Sequence, residues 1–363
     1  MNTYAEINLE AIKHNIAEIK KLLAPPVKFM AVVKANAYGH GAAAVSRAAV
    51  DAGAHYLAVA NLKEAMELRE AGILSPILIL TESPTSVVDE ILHYDLTQTI
   101  YSFVEAKALS DEAEKRRKNA RVHVKIDTGM GRVGVAPSEA FAFISKVSSL
   151  PGLKLEGIFT HFAKAEDLHD NFTQTQFEKF KQISSRVPEI PIKHCANSAA
   201  VIFHPETHMD MVRVGLMMYG LYPQGNSRRF IELKPALSFK SRVTYLKRVP
   251  AQTALSYGGT YLTARETSIA TIPVGYADGF SRRLSNRGQV IINGKRYPVV
   301  GKVTMDLTLV NVGDAGVHLG DEAILIGEQN GQMISADEIA ELEDTISYEV
   351  ICGIGKRVPR IYK

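Results

Sequence analysis

A lysine at the end of an apolar run is the residue of this chain best suited to covalent chemistry. The run from Phe29 to Val33 predicts a buried strand, and Lys34 follows it at once, before a loop of small and polar residues. A lysine at such a strand end is partly removed from water, which lowers the pKa of its amine. The neutral amine is the nucleophile that Schiff-base chemistry with an aldehyde requires. An isolated lysine would more often extend its charge into solvent, so the neighbouring residues must show whether Lys34 has a chemical role.

Groups able to hold an electron-rich ligand follow a later apolar run. In KIDTGMGRVG, residues 125–134, the alternation places Lys125 and Asp127 on one face, and Arg132 follows a glycine-rich bend. An arginine at this point supplies fixed planar donors for a phenolate oxygen. A structural ion pair between Asp127 and Arg132 at the strand end explains the same spacing equally well.

Two further strand ends carry residues suited to a phosphate group. Asn197 and Ser198 follow one apolar run, and Gly215 lies where a bare backbone N–H can approach an anion closely. Arg213 lies inside the otherwise apolar MVRVGLMMYG, and a buried arginine must be paired or must face a ligand. His161 ends the run EGIFTHF, where a hydrogen-bonded core histidine is the ordinary expectation.

Eight apolar runs alternate with amphipathic helical patterns and must position these groups. Eight such units in about 200 residues favour an α/β fold with a closed (β/α)8 TIM-type barrel. An open doubly wound sheet is the alternative, but no GxGxxG follows the first run. In such barrels the catalytic groups stand at the carboxyl ends of the strands. The predicted strands are 29–35, 56–61, 76–80, 97–101, 121–127, 155–162, 192–197 and 211–220.

The hydrophobic period changes to two after about residue 232, which predicts a second, mainly β domain. Asn293 and Gly294 stand between alternating apolar residues and predict a hairpin. We therefore predict a barrel domain over residues 1–232 and a β-strand-rich domain over residues 233–363. The pattern leaves open whether residues 1–6 pair as a strand with the second domain.

Composition and charge exclude several classes of protein. The formal net charge is only +3 over 363 residues, and no dense lysine and arginine block indicates nucleic-acid binding. The two cysteines, Cys195 and Cys352, give no disulfide framework. No signal pattern and no apolar run of membrane-spanning length occurs, so we expect a soluble cytoplasmic protein without membrane contact.

Nine motifs taken together resemble the alanine racemase family over nearly the whole chain. They are VVKANAYGHG, KIDTGMGRVG, THFAKAE, HCANSAA, DMVRVGLMMYG, SYGGTY, TIPVGYADGF, GKVTMD and ISYEVICGIGKRVPR. The resemblance implies a racemase that interconverts L-alanine and D-alanine with pyridoxal 5′-phosphate and no metal. It also implies a homodimer with shared active sites. A role in supplying D-alanine for peptidoglycan is suggested in the same way, and a catabolic role is equally compatible.

By this resemblance, two residues act as bases on opposite faces of the substrate. Lys34 holds the cofactor and serves the D-enantiomer, whereas Tyr257 of the partner subunit serves the L-enantiomer. Racemisation needs proton transfer on both faces of Cα, which is the physical reason for two bases. The other residues that should contact the cofactor are Tyr38, Arg132, His161, Asn197, Ser198, Arg213, Gly215, Leu216 and Tyr348.

The resemblance assigns the remaining residues to the surroundings of the reaction. Arg132 and the backbone at Met305 should receive the substrate carboxylate, and Tyr276 and Arg282 should line the corridor to the site. In the family, the lysine that matches Lys125 is often carbamylated, which makes an anion beside Arg132.

Three other functions fit parts of the chain. A barrel-type decarboxylase of basic amino acids should place a carboxylate against the pyridine nitrogen, and Arg213 opposes that assignment. A non-enzymatic pyridoxal-phosphate carrier resembles the barrel alone, so the second domain and Tyr257 oppose it. A racemase of broader range, or one acting on serine, is closest, although a bulky Tyr348 should crowd the substrate side chain and favour alanine.

Overall fold

The protein divides into two compact units in a computed structural model that describes residues 2–223 and 225–363. One unit comprises Glu10–Ala37 and Ala42–Lys234. The other contains Pro235–Lys363, the segment that ends at Leu9, and the short segment Tyr38–Gly41. The range 1–232 therefore includes two segments that pack with the second unit. Among the residues described, no helix has the length and apolar character needed to cross a membrane.

The first unit is a closed parallel barrel. Its strand order is β8-β7-β6-β5-β4-β3-β2-β9. The backbone N–H of Asp210 donates to Lys193 O at 3.1 Å, and that of Arg213 donates to Ala196 O at 3.0 Å, which joins the two terminal strands. The predicted (β/α)8 barrel is thus confirmed. The strands are β2 (Lys28–Val32), β3 (Tyr56–Val59), β4 (Ile77–Ile79), β5 (Thr97–Ile100), β6 (Ala120–Lys125), β7 (Leu153–Phe159), β8 (Ile192–His194) and β9 (Met211–Val214).

Helices connect these strands and cover their outer side. Four of the eight barrel strands, β3, β4, β5 and β9, are buried along their whole length, so a strict alternation of apolar and polar residues is not expected in them. The helices are α1 (Leu9–Lys20), the short α2 (Lys34–Tyr38), α3 (Ala42–Asp51), α4 (Leu62–Glu70), α5 (Val88–His93), α6 (Phe103–Lys115), α7 (Pro137–Ser148), α8 (Phe172–Ser184) and α9 (Ser198–Phe203).

The second unit is built mainly from antiparallel strands. A seven-stranded sheet has the order β16-β15-β18-β10-β1-β20, with β19 paired to β18, and two smaller sheets are β11-β14-β17 and β12-β13. Two helices, α10 (Ala336–Glu343) and α11 (Ser347–Cys352), complete it. The strands are β1 (Tyr4–Ile7), β10 (Leu237–Arg242), β11 (Tyr245–Val249), β12 (Ala254–Leu255), β13 (Tyr261–Leu262), β14 (Thr267–Ile272), β15 (Gln289–Ile292), β16 (Lys295–Pro298), β17 (Thr308–Gly313), β18 (Glu322–Gln329), β19 (Gln332–Ile334) and β20 (Arg360–Tyr362).

Strand pairing in the second unit answers two points that the sequence raised. Strand β1 pairs antiparallel with β10 and parallel with β20, so the start of the chain does belong to the second unit. The hairpin at Asn293 and Gly294 joins β15 to β16 and is confirmed. Both turn residues have positive φ, 51° and 73°, as a tight type I′ hairpin turn requires.

All eight barrel strands are shorter than the predicted ranges, and two of them, β2 and β9, end where the backbone changes conformation. Strand β9 ends at Val214 because the chain turns into a 3₁₀ helix, Leu216–Tyr219. Strand β2 ends at Val32, and the segment α2 that follows is left-handed rather than extended. Ala35, Asn36 and Ala37 have φ of 53° and ψ between 47° and 52°.

The left-handed segment continues to Tyr38, whose φ is 52°. A left-handed conformation costs about 1–2 kcal/mol for each residue that carries a Cβ. Hydrogen bonds hold the segment in place: Ala35 N–H donates to Glu64 Oε1, and Ala42 N–H donates to Asn36 Oδ1, both at 2.8 Å. Tertiary contacts therefore impose a strained backbone directly after Lys34.

Ala35→Gly is expected to stabilise the protein by about 0.5–1 kcal/mol, because glycine relieves the left-handed strain and loses only part of this gain to unfolded-state entropy. Ala35 is exposed, so no core packing is lost. Denaturant unfolding measures the change. The control is Ala44→Gly in the right-handed helix α3, which should destabilise by about 1 kcal/mol. Equal destabilisation by both substitutions would show that Ala35 is unstrained.

Candidate active site

Lys34 stands at the carboxyl end of barrel strand β2. The strand end is anchored on two sides, because Val33 N–H donates to Ala58 O at 2.8 Å and Tyr219 Oη donates to Val32 O at 2.9 Å. Lys34 itself is half-buried. Its positive charge contributes to lowering the pKa values of Lys125 and His161, so these three side chains lie close together.

Three further cations share this end of the barrel. Lys125 is only 4% exposed, and burial, with the nearby charges of Arg132 and Arg213, lowers the pKa of its amine to about 8. Arg213 is buried as well, and burial lowers the pKa of its guanidinium to about 10. At neutral pH Arg213 remains charged, and most of the Lys125 amine is protonated as well. The site therefore concentrates positive charge and suits an anionic ligand.

Arg213 is held on strand β9 by hydrogen bonds to both of its terminal nitrogens. Nη1 donates to His194 Nδ1 at 2.9 Å and to His194 O at 3.0 Å. Nη2 donates to Thr160 O at 2.7 Å and to Cys195 O at 3.1 Å, and it lies 3.2 Å from His161 Nδ1. Among the residues described, these contacts leave the Nε–H of Arg213 as its one donor without a hydrogen bond.

Arg213 and His161, both predicted to contact the cofactor, are in contact with each other. Burial and the charges of Arg213 and Arg132 lower the pKa of His161 well below its ordinary value, so the imidazole is neutral. Because a guanidinium can only donate, His161 Nδ1 is the acceptor and the ring proton lies on Nε2. His161 thus supports the orientation of Arg213 without adding charge to the site.

The residues predicted to hold a phosphate meet at the ends of β8 and β9. Gly215 N–H donates to Ser198 Oγ at 3.2 Å, and Ser198 is buried. Asn197 is the N-cap of helix α9, and its Oδ1 accepts from Ala200 N–H at 3.0 Å. A small polar cradle is therefore present at this point, and Leu216, the next residue after Gly215, is buried.

Asp127 organises the glycine-rich loop that carries Arg132. Its carboxylate accepts from Gly129 N–H and Gly131 N–H, both at 3.0 Å, and from Arg132 N–H at 3.2 Å. Over residues 2–223 and 225–363, no ion pair joins the Asp127 carboxylate to the Arg132 guanidinium. The alternative of a structural Asp–Arg pair is therefore wrong, because the carboxylate is occupied by the backbone.

Tyr38 and Tyr348 lie together in the second unit. Their ring centroids are 5.9 Å apart. Burial, followed by the neighbouring Tyr348, raises the pKa of Tyr38, so its hydroxyl keeps its proton as a hydrogen-bond donor. Gly39 follows in close contact with the backbone of Ile351, which leaves no room for a Cβ. Two of the residues predicted to contact the cofactor are therefore neighbours.

Tyr257 and Met305 belong to linked loops of the second unit. Tyr257 is 74% exposed and follows Ser256, which has a φ of 59° and a ψ of −174°, a region occupied almost only by glycine. Ser256 Oγ donates to Lys302 O at 2.7 Å, which ties this turn to the loop containing Met305. The turn at Tyr276 is tied to the same loop, because Ala277 N–H donates to Met305 O at 3.1 Å.

The other predicted residues are not all brought together within one unit. Arg282 is exposed at the start of a 3₁₀ turn in the second unit. Lys34 belongs to the barrel and Tyr257 to the second unit, so their pairing as two bases stays a prediction.

The structure adds three aromatic residues that sequence reasoning missed. Phe159 stacks on His194, with ring centroids 4.8 Å apart and planes at 16°, and it also lies 5.2 Å below the Arg213 guanidinium. His194 in turn contacts His123. The alternation of VHVK on one strand places His123 on the same face as Lys125, so this signal was present in the sequence.

Comparison with known proteins agrees with this architecture. Two family descriptions match: alanine racemase, N-terminal domain, over residues 7–223, and alanine racemase, C-terminal domain, over residues 236–362. An alanine racemase from Halothermothrix orenii is 48% identical over 366 aligned positions, covering 99% of this chain and 97% of that protein. The solved alanine racemase of Clostridium difficile 630 has 39% identity and a TM-score of 0.96, covering 100% of this chain and 96% of its own. That of Bartonella henselae, with covalently bound pyridoxal phosphate, has 28% identity and a TM-score of 0.89, covering 100% of both chains.

The fold and the site define a barrel enzyme with a lysine at a strand end, set among buried cations. The two domain matches together span nearly the whole chain, and the relatives match along nearly their whole length. The chain belongs to the alanine racemase family of isomerases. The family resemblance read from the nine motifs is thereby confirmed.

Proposed function

We propose that the protein interconverts L-alanine and D-alanine, with pyridoxal 5′-phosphate held covalently by Lys34. The observation that carries this proposal is the pairing of a strand-end lysine with a buried arginine whose Nε–H has no hydrogen bond among the residues described. Family membership supports it, as does the covalently bound pyridoxal phosphate of the Bartonella henselae relative.

The barrel residues fit each part of the cofactor. The Lys34 amine suits the aldehyde, the Ser198 and Gly215 pair suits the phosphate, and Arg213 suits the pyridine nitrogen. When bound, pyridoxal phosphate acidifies the Cα–H bond of an attached amino acid by delocalising the negative charge. Although burial lowers its pKa to about 10, the Arg213 guanidinium stays protonated at neutral pH. It would therefore donate a hydrogen bond to the ring nitrogen rather than a proton, which opposes the decarboxylase alternative.

Two bases on opposite faces of Cα complete the reaction. We assign Lys34 Nζ to proton transfer with D-alanine and Tyr257 Oη of the partner subunit to proton transfer with L-alanine. The function therefore requires a homodimer. Arg132 and the backbone at Met305 hold the substrate carboxylate, and Tyr276 and Arg282 line the corridor. A cytoplasmic location and the supply of D-alanine for peptidoglycan belong to the same proposal.

Optical activity tests the reaction directly. The purified protein is mixed with pyridoxal phosphate and L-alanine, and in a second sample with D-alanine, and the signal is followed to equilibrium. Both samples should reach zero rotation. The control is cofactor-free protein assayed without added pyridoxal phosphate, which should leave the rotation unchanged. An unchanged signal despite bound cofactor would contradict the proposal, and CO₂ release from lysine or ornithine would favour the decarboxylase. Parallel tests with serine decide between alanine specificity and a broader range.

Lys125 is expected to react with CO₂ to form a carbamate beside Arg132. The neutral amine forms an N–C bond to CO₂ and its proton leaves to solvent, giving an anion among cations. With a pKa of about 8, half of the Lys125 amine is neutral at that pH, against less than about 1% of an ordinary lysine. Carbon-13 NMR in labelled bicarbonate should show a carbamate signal. Its presence in Lys125→Ala as well would assign the signal to another amine, and its absence from the unmodified protein would rule the carbamate out.

A further inference from the structure

A line of buried polar side chains leads from Arg213 across the interior of the barrel. Arg213 Nη1 lies 2.9 Å from His194 Nδ1, and His194 Nε2 lies 2.9 Å from His123 Nδ1. On its far side, His123 Nε2 faces Glu156 Oε2 at 3.7 Å. Tyr56 Oη donates to the same carboxylate at 2.9 Å. These residues come from strands β3, β6, β7, β8 and β9, so only the closed barrel brings them together.

The chemistry of Arg213 fixes the direction of this chain of hydrogen bonds. A guanidinium can only donate, so His194 Nδ1 carries no proton and its Nε2 carries one. His194 Nε2–H therefore donates to His123 Nδ1, which leaves the His123 proton on Nε2. Every donor in the chain consequently points away from Arg213 and toward Glu156.

Burial keeps both linking histidines neutral. His123 and His194 are fully buried. Burial lowers the pKa of His123 and, reinforced by the charge of Arg213, lowers the pKa of His194 well below its ordinary value. A series of hydrogen bonds that all run from the Arg213 cation toward the Glu156 anion requires two neutral imidazoles, each with one ring proton.

Neighbouring residues of strand β7 shape the space for the two rings. A Cβ at Gly157 would come within 2.6 Å of the His123 ring, so glycine is needed for this histidine to occupy its place. Phe159 stacks on His194 and fixes the plane of the second ring. The positions of the two imidazole rings are therefore fixed by steric contacts as well as by hydrogen bonds.

Glu156 is the anionic end of the chain. Burial alone would raise the pKa of its carboxyl, but the nearby His123 and the hydrogen bond from Tyr56 outweigh burial and leave the pKa below its ordinary value. Among the residues described, His123 Nε2 is buried and has no hydrogen-bond acceptor, so the Glu156 carboxylate at 3.7 Å is the negative charge that faces its proton. An apolar group there would leave the buried His123 Nε2–H facing no acceptor at all.

We propose that Glu156 is a positioning residue for the reaction, acting through His123 and His194 to hold the Arg213 guanidinium in place for the pyridine nitrogen. This inference rests on the proposed function, because it assumes that Arg213 faces the pyridine nitrogen of the cofactor. Glu156 itself touches neither the cofactor nor the substrate.

Nitrogen-15 NMR of histidine-labelled, cofactor-free protein tests the chain without any activity. The signals of His123 and His194 are assigned from His123→Gln and His194→Gln. Both rings should be neutral with the proton on Nε2. A proton on Nδ1 of either ring, or a charged ring, would overturn the proposed direction.

Glu156→Gln tests the effect on Arg213, with Glu139→Gln at an exposed site of helix α7 as the charge-matched control. We expect Glu156→Gln to shift the His194 nitrogen signals, to move the absorbance maximum of bound pyridoxal phosphate, and to lower kcat about 10-fold with little change in KM. Glu139→Gln should change none of these. A lower Tm with unchanged spectra and kcat would overturn the proposal, because it describes a purely structural role.

A milder variant covers the case in which Glu156→Gln does not fold. Tyr56→Phe removes one donor to the carboxylate and should shift the same His194 signals by less, whereas no shift would overturn the proposal. Failure of the proposed function is recognised separately. In that case the unmodified protein would not racemise alanine, although the histidine signals would still show the chain.

Discussion

Replacing Lys34 by alanine is expected to abolish covalent attachment of the cofactor and to reduce racemisation at least about 10³-fold. In the proposed mechanism the side chain has two roles at one atom, because Nζ would attach the cofactor and would also serve as the base for D-alanine. The anchored end of strand β2, at Val32 and Val33, should keep the backbone in place when the amine is lost. The visible absorbance that stays with the protein after gel filtration reports attachment, and optical activity reports turnover.

Lys193→Ala is the matched control for this substitution. Lys193 lies on barrel strand β8, and its amine donates to Pro188 O at 3.2 Å on the exposed side. This variant should keep both the absorbance and the activity. If the absorbance band persists in Lys34→Ala, another amine holds the cofactor and the assignment of Lys34 is wrong.

The sequence was sufficient to predict the barrel because most residues of its strands are buried. Such strands appear as apolar runs, and the helices between them show the apolar spacing of an amphipathic helix. The order of strands and helices could therefore be predicted from the sequence. The place of residues 4–7 could not be predicted, since β1 pairs with β10 and β20 more than 220 residues away. A short strand carries too little pattern to identify partners at that distance.

The candidate site was predictable where a residue type was unusual for its place. Arg213 in an apolar strand, and Ser198 and Gly215 at strand ends, stood out without any coordinates. The chain from His194 to Glu156 could not be read in this way. It depends on the register of β6, β7 and β8 in the closed barrel, which a single sequence does not specify.

Strained backbone accompanies both proposed bases. Lys34 directly precedes the left-handed segment that starts at Ala35, and Tyr257 directly follows Ser256 with its φ of 59°. Conformations of this kind persist only where the surrounding contacts enforce them, and they concentrate at functional sites. Neither segment was predicted, because Ala, Asn and Ser carry no signal for positive φ comparable to that of glycine. The strain is thus independent structural support for placing the chemistry at these two positions.

Tyr257→Phe is expected to separate the two half-reactions. The substitution removes only the phenolic oxygen, and Tyr257 is 74% exposed in its own chain, so folding should be little affected. Exchange of the α-proton of L-alanine with deuterated solvent should fall by about 10²–10⁴-fold, because the base on that face is lost. Exchange from D-alanine should fall much less, since Lys34 still removes that proton. Proton NMR of each enantiomer in deuterated buffer measures both rates.

Tyr245→Phe provides the control, since this tyrosine of strand β11 is also exposed, at 57%, and is assigned no chemical role. It should leave both exchange rates unchanged. Equal losses from the two enantiomers in Tyr257→Phe would count against two bases, because a general disturbance of the site does not distinguish the faces of Cα. Loss confined to D-alanine would reverse the assignment and place Lys34 on the L face. Only the asymmetric result supports the proposal that Lys34 and Tyr257 of the partner subunit act as separate bases for the two enantiomers.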